Sequence, residues 1–128
     1  MEKYITKEDY LKAKGINLDI EIQNDDNKSN KVKRFIKEVT DWCVDHLRQN
    51  YDADELMKDF SLLPEWRQRQ FRDGVIEQIE YILNEGWINK DAGVIRELGT
   101  IVDFDKVSLG RTAYLKFKFG AFCNIVRY

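Results

Sequence analysis

Two stripes of apolar side chains decide what this chain can fold into. Val32, Phe35, Ile36, Val39, Cys43, His46 and Leu47 recur at spacings of three and four, as do Phe71, Val75, Ile79, Ile82 and Leu83. That rhythm matches the 3.6-residue turn of an α-helix and lays each set along one face. Lys33, Lys37, Asp41, Asp45 and Arg48 fall off the first stripe, with Trp42 at its edge. Arg67, Gln68, Arg72, Asp73 and Glu77 read as the wet side of the second. The first helix is expected over Lys31 to Gln49. The second begins at Pro64, which suits the first helical position because its missing amide would have no partner there. Gly86 stops it. Gly74 inside it costs about 1 kcal/mol against alanine and points to the close approach of a neighbouring backbone.

The flanks carry shorter signals. Thr6 is an N-cap with Asp9 reaching back to it, and the short helix they open ends at Gly15. Ile16, Leu18, Ile20 and Ile22 alternate with polar residues, the period of an extended segment. Gln23 to Asn30 reads as a polar loop, with Ser29 or Asn30 capping the long helix. Tyr51 to Phe60 is acidic and suits a short helix or ordered loop, and Asp91 to Leu98 a short helix capped by Gly99. Ile101, Val102, Phe104 and Val107 read as extended or irregular. Ser108 caps a last helix to Phe117, Gly120 breaks it, and Ala121 to Tyr128 is extended. The expected fold is mainly α: a small helical bundle built on two long antiparallel helices, with short flanking helices and an extended C-terminal arm. Residues 1–107 form the helical body and 108–128 a docking segment that is not an independent domain.

Composition closes off several functional classes. A chain of 128 residues, 43% hydrophobic and 34% charged, has one domain's length and buries enough surface to fold without a staple. Cys43 and Cys123 lie far apart and read as reduced apolar fillers. Glu2, Lys3, Lys7, Glu8 and Asp9 exclude a signal-peptide core from the first ten residues. Lys116 and Lys118 interrupt the greasiest stretch, Ala113 to Val126, which is too short to span a bilayer. A soluble protein is expected, so the sequon Asn27-Lys28-Ser29 carries no meaning.

Chemistry is hard to find. His46, the sole histidine, lies three residues after Cys43 and offers half a zinc site without the second close pair that structural zinc uses. It is also the one base available to Cys43 or Ser61 as nucleophile. Glu77 and Glu80 sit on an expected exposed face, where nothing separates their pKa values for acid–base work. Asp25-Asp26-Asn27 lacks calcium-loop spacing, and no glycine pattern cradles phosphate. No catalytic, cofactor-binding or metal-binding residue is expected. Lys31, Lys33, Arg34 and Lys37 open the first long helix, and Arg67, Arg69 and Arg72 lie near the start of the second. A small DNA-binding regulator using that first helix and the basic tail is therefore the alternative. The two helices are too far apart for a helix-turn-helix.

The C-terminal end stands out. From Lys106 to Tyr128 there are five cations and no acid, against a whole-chain net charge of −2, so the rest of the chain is acidic. Phe104, Phe117, Phe119 and Phe122 fall here with Tyr114 and Tyr128, and Phe117-Lys118-Phe119 has the alternation of a strand. So aromatic a terminus must be covered by its own domain or by another chain. Docking on a partner, by adding a strand to a sheet edge, is preferred, through Tyr114, Phe117, Lys118, Phe119, Phe122, Ile125, Arg127 and Tyr128.

The order of elements is also familiar: Ile5-Thr6-Lys7-Glu8-Asp9-Tyr10-Leu11 opening a short helix, a long helix, and an acidic loop. Leu63-Pro64-Glu65 then starts a second long helix. The terminal segment runs from Val107-Ser108 through Leu115 to Gly120-Ala121-Phe122-Cys123-Asn124-Ile125. This resembles the head–tail connector (adaptor, or head-completion) proteins of long-tailed bacteriophages. The resemblance implies a structural virion protein made in the bacterial cytoplasm and placed at the head–tail interface. There it assembles with copies of itself as a ring, commonly of twelve, under the portal protein. The ring extends the DNA channel, passes DNA without reading it, and receives a stopper or tail-completion protein; no membrane is involved. It also implies that Ser108 to Tyr128 reaches the portal. Family members often carry proline after the serine of Val107-Ser108, where this chain has Leu109.

Overall fold

The computed structural model describes residues 3–22, 30–51, 57–89 and 100–123. They form a mainly helical bundle. The first helix, α1 (Lys7–Lys14), opens on a complete capping box. The Thr6 hydroxyl accepts from the Asp9 amide at 3.2 Å while the Thr6 amide donates to the Asp9 carboxylate at 2.9 Å. Gly15 closes α1 in the left-handed region at φ 69°, its amide donating to the Leu11 carbonyl at 2.7 Å.

The expected extended segment from Ile16 to Ile22 is instead a short helix, α2 (Leu18–Glu21). The Asn17 side chain accepts from the Asp19 amide at 2.9 Å, and this local cap turns the chain before alternation can pay out a strand. Leu18 and Ile22 then point into the core and Ile20 is exposed.

The long helix α3 (Asn30–Tyr51) follows the first stripe. Val32, Phe35, Ile36, Val39, Cys43 and Leu47 are all buried, whereas His46 is half-exposed. Thr40 is buried among them because its hydroxyl donates to the Ile36 carbonyl at 2.8 Å.

After a 3-10 turn at Phe60–Leu62 comes α4 (Glu65–Glu85). Pro64 precedes the helix as its cap, one place earlier than expected, because its ψ of 146° is still extended. Gly86 ends α4 at φ 74°. Gln68, expected on the wet side, is buried: its amide donates to the carbonyls of Leu63 at 2.8 Å and Ser61 at 3.3 Å and ties the 3-10 turn to α4. Beyond α4, Ile88 and Val102 form an isolated antiparallel bridge. The Glu38 carboxylate accepts from the amides of Ile101 at 2.8 Å and Val102 at 3.3 Å, fixing that return strand-like segment to α3.

The last helix, α5 (Arg111–Phe119), is capped by Gly110 and begins two residues later than a Ser108 cap would place it. The reason lies on α4. Gln78 is fully buried; its amide donates to the Ser108 carbonyl and its oxygen accepts from the Gly110 amide, both at 2.9 Å. A glutamine from another helix thus holds the start of α5. Phe117, Lys118 and Phe119, which alternate like a strand in sequence, form the last helical turn.

Gly110 lies against Tyr81, and Gly120 against Gln70, so α5 runs antiparallel along α4. The close approach expected at Gly74 is that of a side chain, not a backbone. A Cβ there would stand 2.7 Å from Cδ1 of Phe117 and 2.8 Å from its Cζ.

The C-terminal stop of α5 inverts the usual residue order. The Phe122 amide donates to the Phe117 carbonyl at 2.9 Å and the Ala121 amide to the Lys118 carbonyl at 3.0 Å, the pairing of a Schellman motif. Glycine normally takes its left-handed position, yet here Ala121 does, at φ 65°. The glycine is one residue earlier because a Cβ at Gly120 would come within 2.8 Å of the Phe122 ring and 2.9 Å of Gln70 Cβ. An L-residue pays roughly 1–2 kcal/mol in the left-handed region, partly offset by the extra freedom of an unfolded glycine. Ala121→Gly should therefore raise stability by about 0.5–1 kcal/mol in urea unfolding, and a loss would show that Ala121 is not strained.

Candidate partner-binding surface

The C-terminal residues divide into two groups. Phe117 and Phe122 are fully buried in the chain's own core. Phe71 is the hub, with ring centroids 5.1 Å from Phe60 and 5.5 Å from both Phe117 and Phe122. Their expected place at a partner interface is thereby corrected: helical periodicity in α5 and the Schellman turn direct both rings inward. Tyr114 is half-buried and meets Tyr51 at 6.1 Å. Lys118 and Phe119 face outward. Ile125, Arg127 and Tyr128 lie outside the described residues.

Phe119 has exposed company. It is 61% exposed, Trp66 55% and Leu62 81%. Leu62 ends the 3-10 turn three residues before α4 begins, Trp66 is in the first turn of α4, and Phe119 ends the antiparallel α5, so all three belong to the same end of the α4–α5 pair. Sequence reasoning missed Leu62 and Trp66. The signal was present: a tryptophan off the Phe71–Val75–Ile79 stripe has no place in the core. Beside them Arg67, expected to be wet, donates from Nε to the Gly120 carbonyl at 2.8 Å and from a terminal nitrogen to the Ala121 carbonyl at 3.2 Å. Its guanidinium also lies 5.4 Å from the centre of the Phe122 ring. One cation thus holds the backbone of the turn that ends α5.

Three of the cations at the basic helix starts are paired on their own surfaces. Arg34 meets Glu38 at 3.2 Å, Lys37 meets Asp41 at 2.7 Å and Arg69 meets Glu65 at 3.5 Å. Glu77 is not on an open face either. Lys14 donates to it at 2.8 Å and to Glu80 at 3.4 Å, joining α1 to α4.

No known protein family, curated protein or solved structure matches the chain. The surface must therefore be judged on its own chemistry. His46 stacks on Trp42 with ring centroids 4.9 Å apart, and burial lowers its pKa, which leaves it neutral at pH 7. Burial raises the thiol pKa of Cys43, and pushes that of Cys123 up to about 11, so both stay protonated and unreactive at neutral pH. Among the described residues no three His, Cys, Asp or Glu side chains converge on a metal-sized site, and no helix is long and apolar enough to cross a membrane.

The N-terminal segment is held by a separate tether. The Tyr4 hydroxyl donates to the Asp41 carboxylate at 2.6 Å, and Lys37 donates to its other oxygen at 2.7 Å. Burial pushes the Asp41 pKa upward, but the bonds from Lys37 and Tyr4 outweigh it and hold the group below its ordinary value. Burial, with the Asp41 bond, pushes the Tyr4 phenol up to about 12. A depressed carboxylate stabilises above its unfolded pKa and loses that contribution as pH falls through its folded value; a raised phenol stabilises below its unfolded pKa and loses it as pH rises toward about 12. Tyr4→Phe should cost about 1 kcal/mol at pH 7 and flatten the stability profile at the alkaline end. Urea midpoints at neutral and alkaline pH test both; an unchanged alkaline slope would remove Tyr4 from the account.

Proposed function

We propose that the chain is a structural subunit of a phage head–tail connector, without catalysis. In this proposal copies of it form a ring between portal and tail that extends the DNA channel. α3 and α4 act as the antiparallel pair of the body, and the C-terminal chain is the arm that reaches the portal. The observation that carries it is the exposed group Leu62, Trp66 and Phe119 at the end of the α4–α5 pair where α5 stops. Large apolar residues exposed together are an interaction surface, and cationic Lys116 and Lys118 beside them favour an acidic protein surface. The paired state of Arg34, Lys37 and Arg69 argues against duplex binding as the main role.

The test is a truncation, and the core dictates where it must start. Removing Ala121 to Tyr128 would take Phe122 out of the aromatic cluster and confound folding with docking. Removing residues 124–128 keeps every core residue among the described ones. The shorter protein should retain the full-length urea midpoint and fail to join complexes with portal protein in sedimentation; incorporation at the full-length level would overturn the arm's role. Steeply salt-dependent duplex binding by the full chain would instead favour the regulator.

A further inference from the structure

The end of the α4–α5 pair that exposes Leu62, Trp66 and Phe119 also has a definite sign. Residues 57–70 and 115–123 meet there: Phe60 packs on Phe122, Gly120 lies against Gln70, and Arg67 bonds the Gly120 carbonyl. These two segments bring Lys58, Arg67, Arg69, Lys116 and Lys118 together against only two acids, Asp59 and Glu65. The chain as a whole has a net charge of −2, so this end is opposite in sign to the rest. Glu65 is taken by Arg69 at 3.5 Å, and Arg67 is turned onto the carbonyls of Gly120 and Ala121. Lys116 and Lys118 have no ion pair among the described residues. Lys118 is exposed and Lys116 half-buried, and α5 itself contains no acid to oppose them.

Apolar area and free positive charge on one surface restrict what can cover it. Strand addition, the docking mode expected from the sequence, is closed here because the amides of α5 and of the turn after it are bonded along the chain. Recognition must go through side chains. Leu115 and Phe119 stand one turn apart on α5, and a ridge of that spacing is met by a helix carrying apolar residues every three or four positions. A phosphate backbone would satisfy the lysines but leave Leu62 and Phe119 in water, and an aliphatic Leu62 stacks on no base. A second copy docking through the same patch would set Lys116 and Lys118 against themselves, and like charges across an interface oppose it. An apolar stripe flanked by carboxylates uses both parts of the surface.

We propose that this end of the bundle docks an acidic amphipathic helix of a different protein. The apolar stripe of that helix covers Trp66 and Phe119, and carboxylates beside the stripe pair with Lys116 and Lys118. The inference rests on reading Leu62, Trp66 and Phe119 as an interface, as the connector proposal does, and needs no ring.

The experiment uses the full chain and fluorescein-labelled peptides of about twenty residues, long enough to hold a helix. The first has leucines along one helical face, glutamates flanking them and alanines behind. The second has the same residues in scrambled order, and the third has lysine for glutamate; a labelled DNA duplex is the fourth probe. Anisotropy should give the first peptide at least about tenfold tighter binding than any other probe. Phe119→Ala, and separately Lys116→Gln with Lys118→Gln, should each weaken that binding about tenfold. Lys12→Gln on α1, an exposed cation outside the surface, should leave it unchanged. Trp66→Ala gives a second reading of the apolar part should Phe119→Ala lower the urea midpoint. The chain lacking residues 124–128 should bind the peptide as the full chain does; tenfold tighter binding would assign the surface to the chain's own end and overturn the proposal. So would equal binding of the scrambled peptide, preference for the duplex, the same loss from Lys12→Gln, self-association of the chain through Trp66 and Phe119, or no binding of the first peptide. Portal complexes that form without this selectivity remove the helix proposal alone, and selective binding without portal complexes removes the connector reading alone.

Discussion

Phe122→Ala should cost about 3–5 kcal/mol of stability, against the 5–15 kcal/mol that hold a typical domain together. The side chain is fully buried, its ring centroid 5.5 Å from Phe71 and 6.4 Å from Phe60, and Arg67 covers its outer face at 5.4 Å. Alanine leaves a ring-sized void that these neighbours, themselves packed on one another, cannot fill by a small movement. Phe119→Ala is the control. Phe119 is largely exposed, so its replacement should stay within about 0.5 kcal/mol while weakening any partner contact. Urea unfolding of both variants separates the buried ring of the aromatic tail from the exposed one. If Phe122→Ala unfolds at the parent midpoint, the C-terminal chain does not belong to the core.

Gln78→Leu is expected to have the next largest effect, about 2–3 kcal/mol. Leucine has nearly the right size and would bury apolar surface, so bulk alone predicts a neutral change. The loss comes from what glutamine was serving: the buried Gly110 amide, which donates to its oxygen at 2.9 Å, and the Ser108 carbonyl, which accepts from its nitrogen at 2.9 Å. Hydrogen exchange gives a local reading beside the urea midpoint. The Gly110 amide should lose protection by more than the amides of α3. Equal protection in the variant would show that α5 is held by packing alone.

The same glutamine explains how much of the fold was legible. α3 and α4 were readable because each repeats an apolar residue every three or four positions, and no other part of the chain is needed to interpret that pattern. Gly15 and Gly86 were readable because a left-handed stop is a local property. Gln78, by contrast, looks like any polar helix residue until the segment around Ser108 arrives beside it, so the start of α5 was misplaced. Asn17 misled in the other direction: its cap acts over two residues and overrode an alternation spread over seven. The tail was legible as aromatic and in need of cover. Which rings it buries depends on the turn at Gly120 and Ala121, and composition carries no direction. Leu62 and Trp66 were legible only as residues off a stripe, a negative signal that becomes a surface once α4 and α5 are seen to lie antiparallel.

The Arg67 grip on Gly120 and Ala121 has a mechanical consequence. Tension applied to the chain beyond residue 123 does not reach α5 as a pull on a free helix end. It arrives at a turn braced by two hydrogen bonds from Arg67 and backed by a ring locked among Phe60 and Phe71. α5 cannot begin to unwind from its C-terminal end until Phe122 is drawn out of the core, so the load is shared with α4 before any helical bond breaks. A segment fastened this way can be tugged by a large neighbour while the bundle keeps its shape.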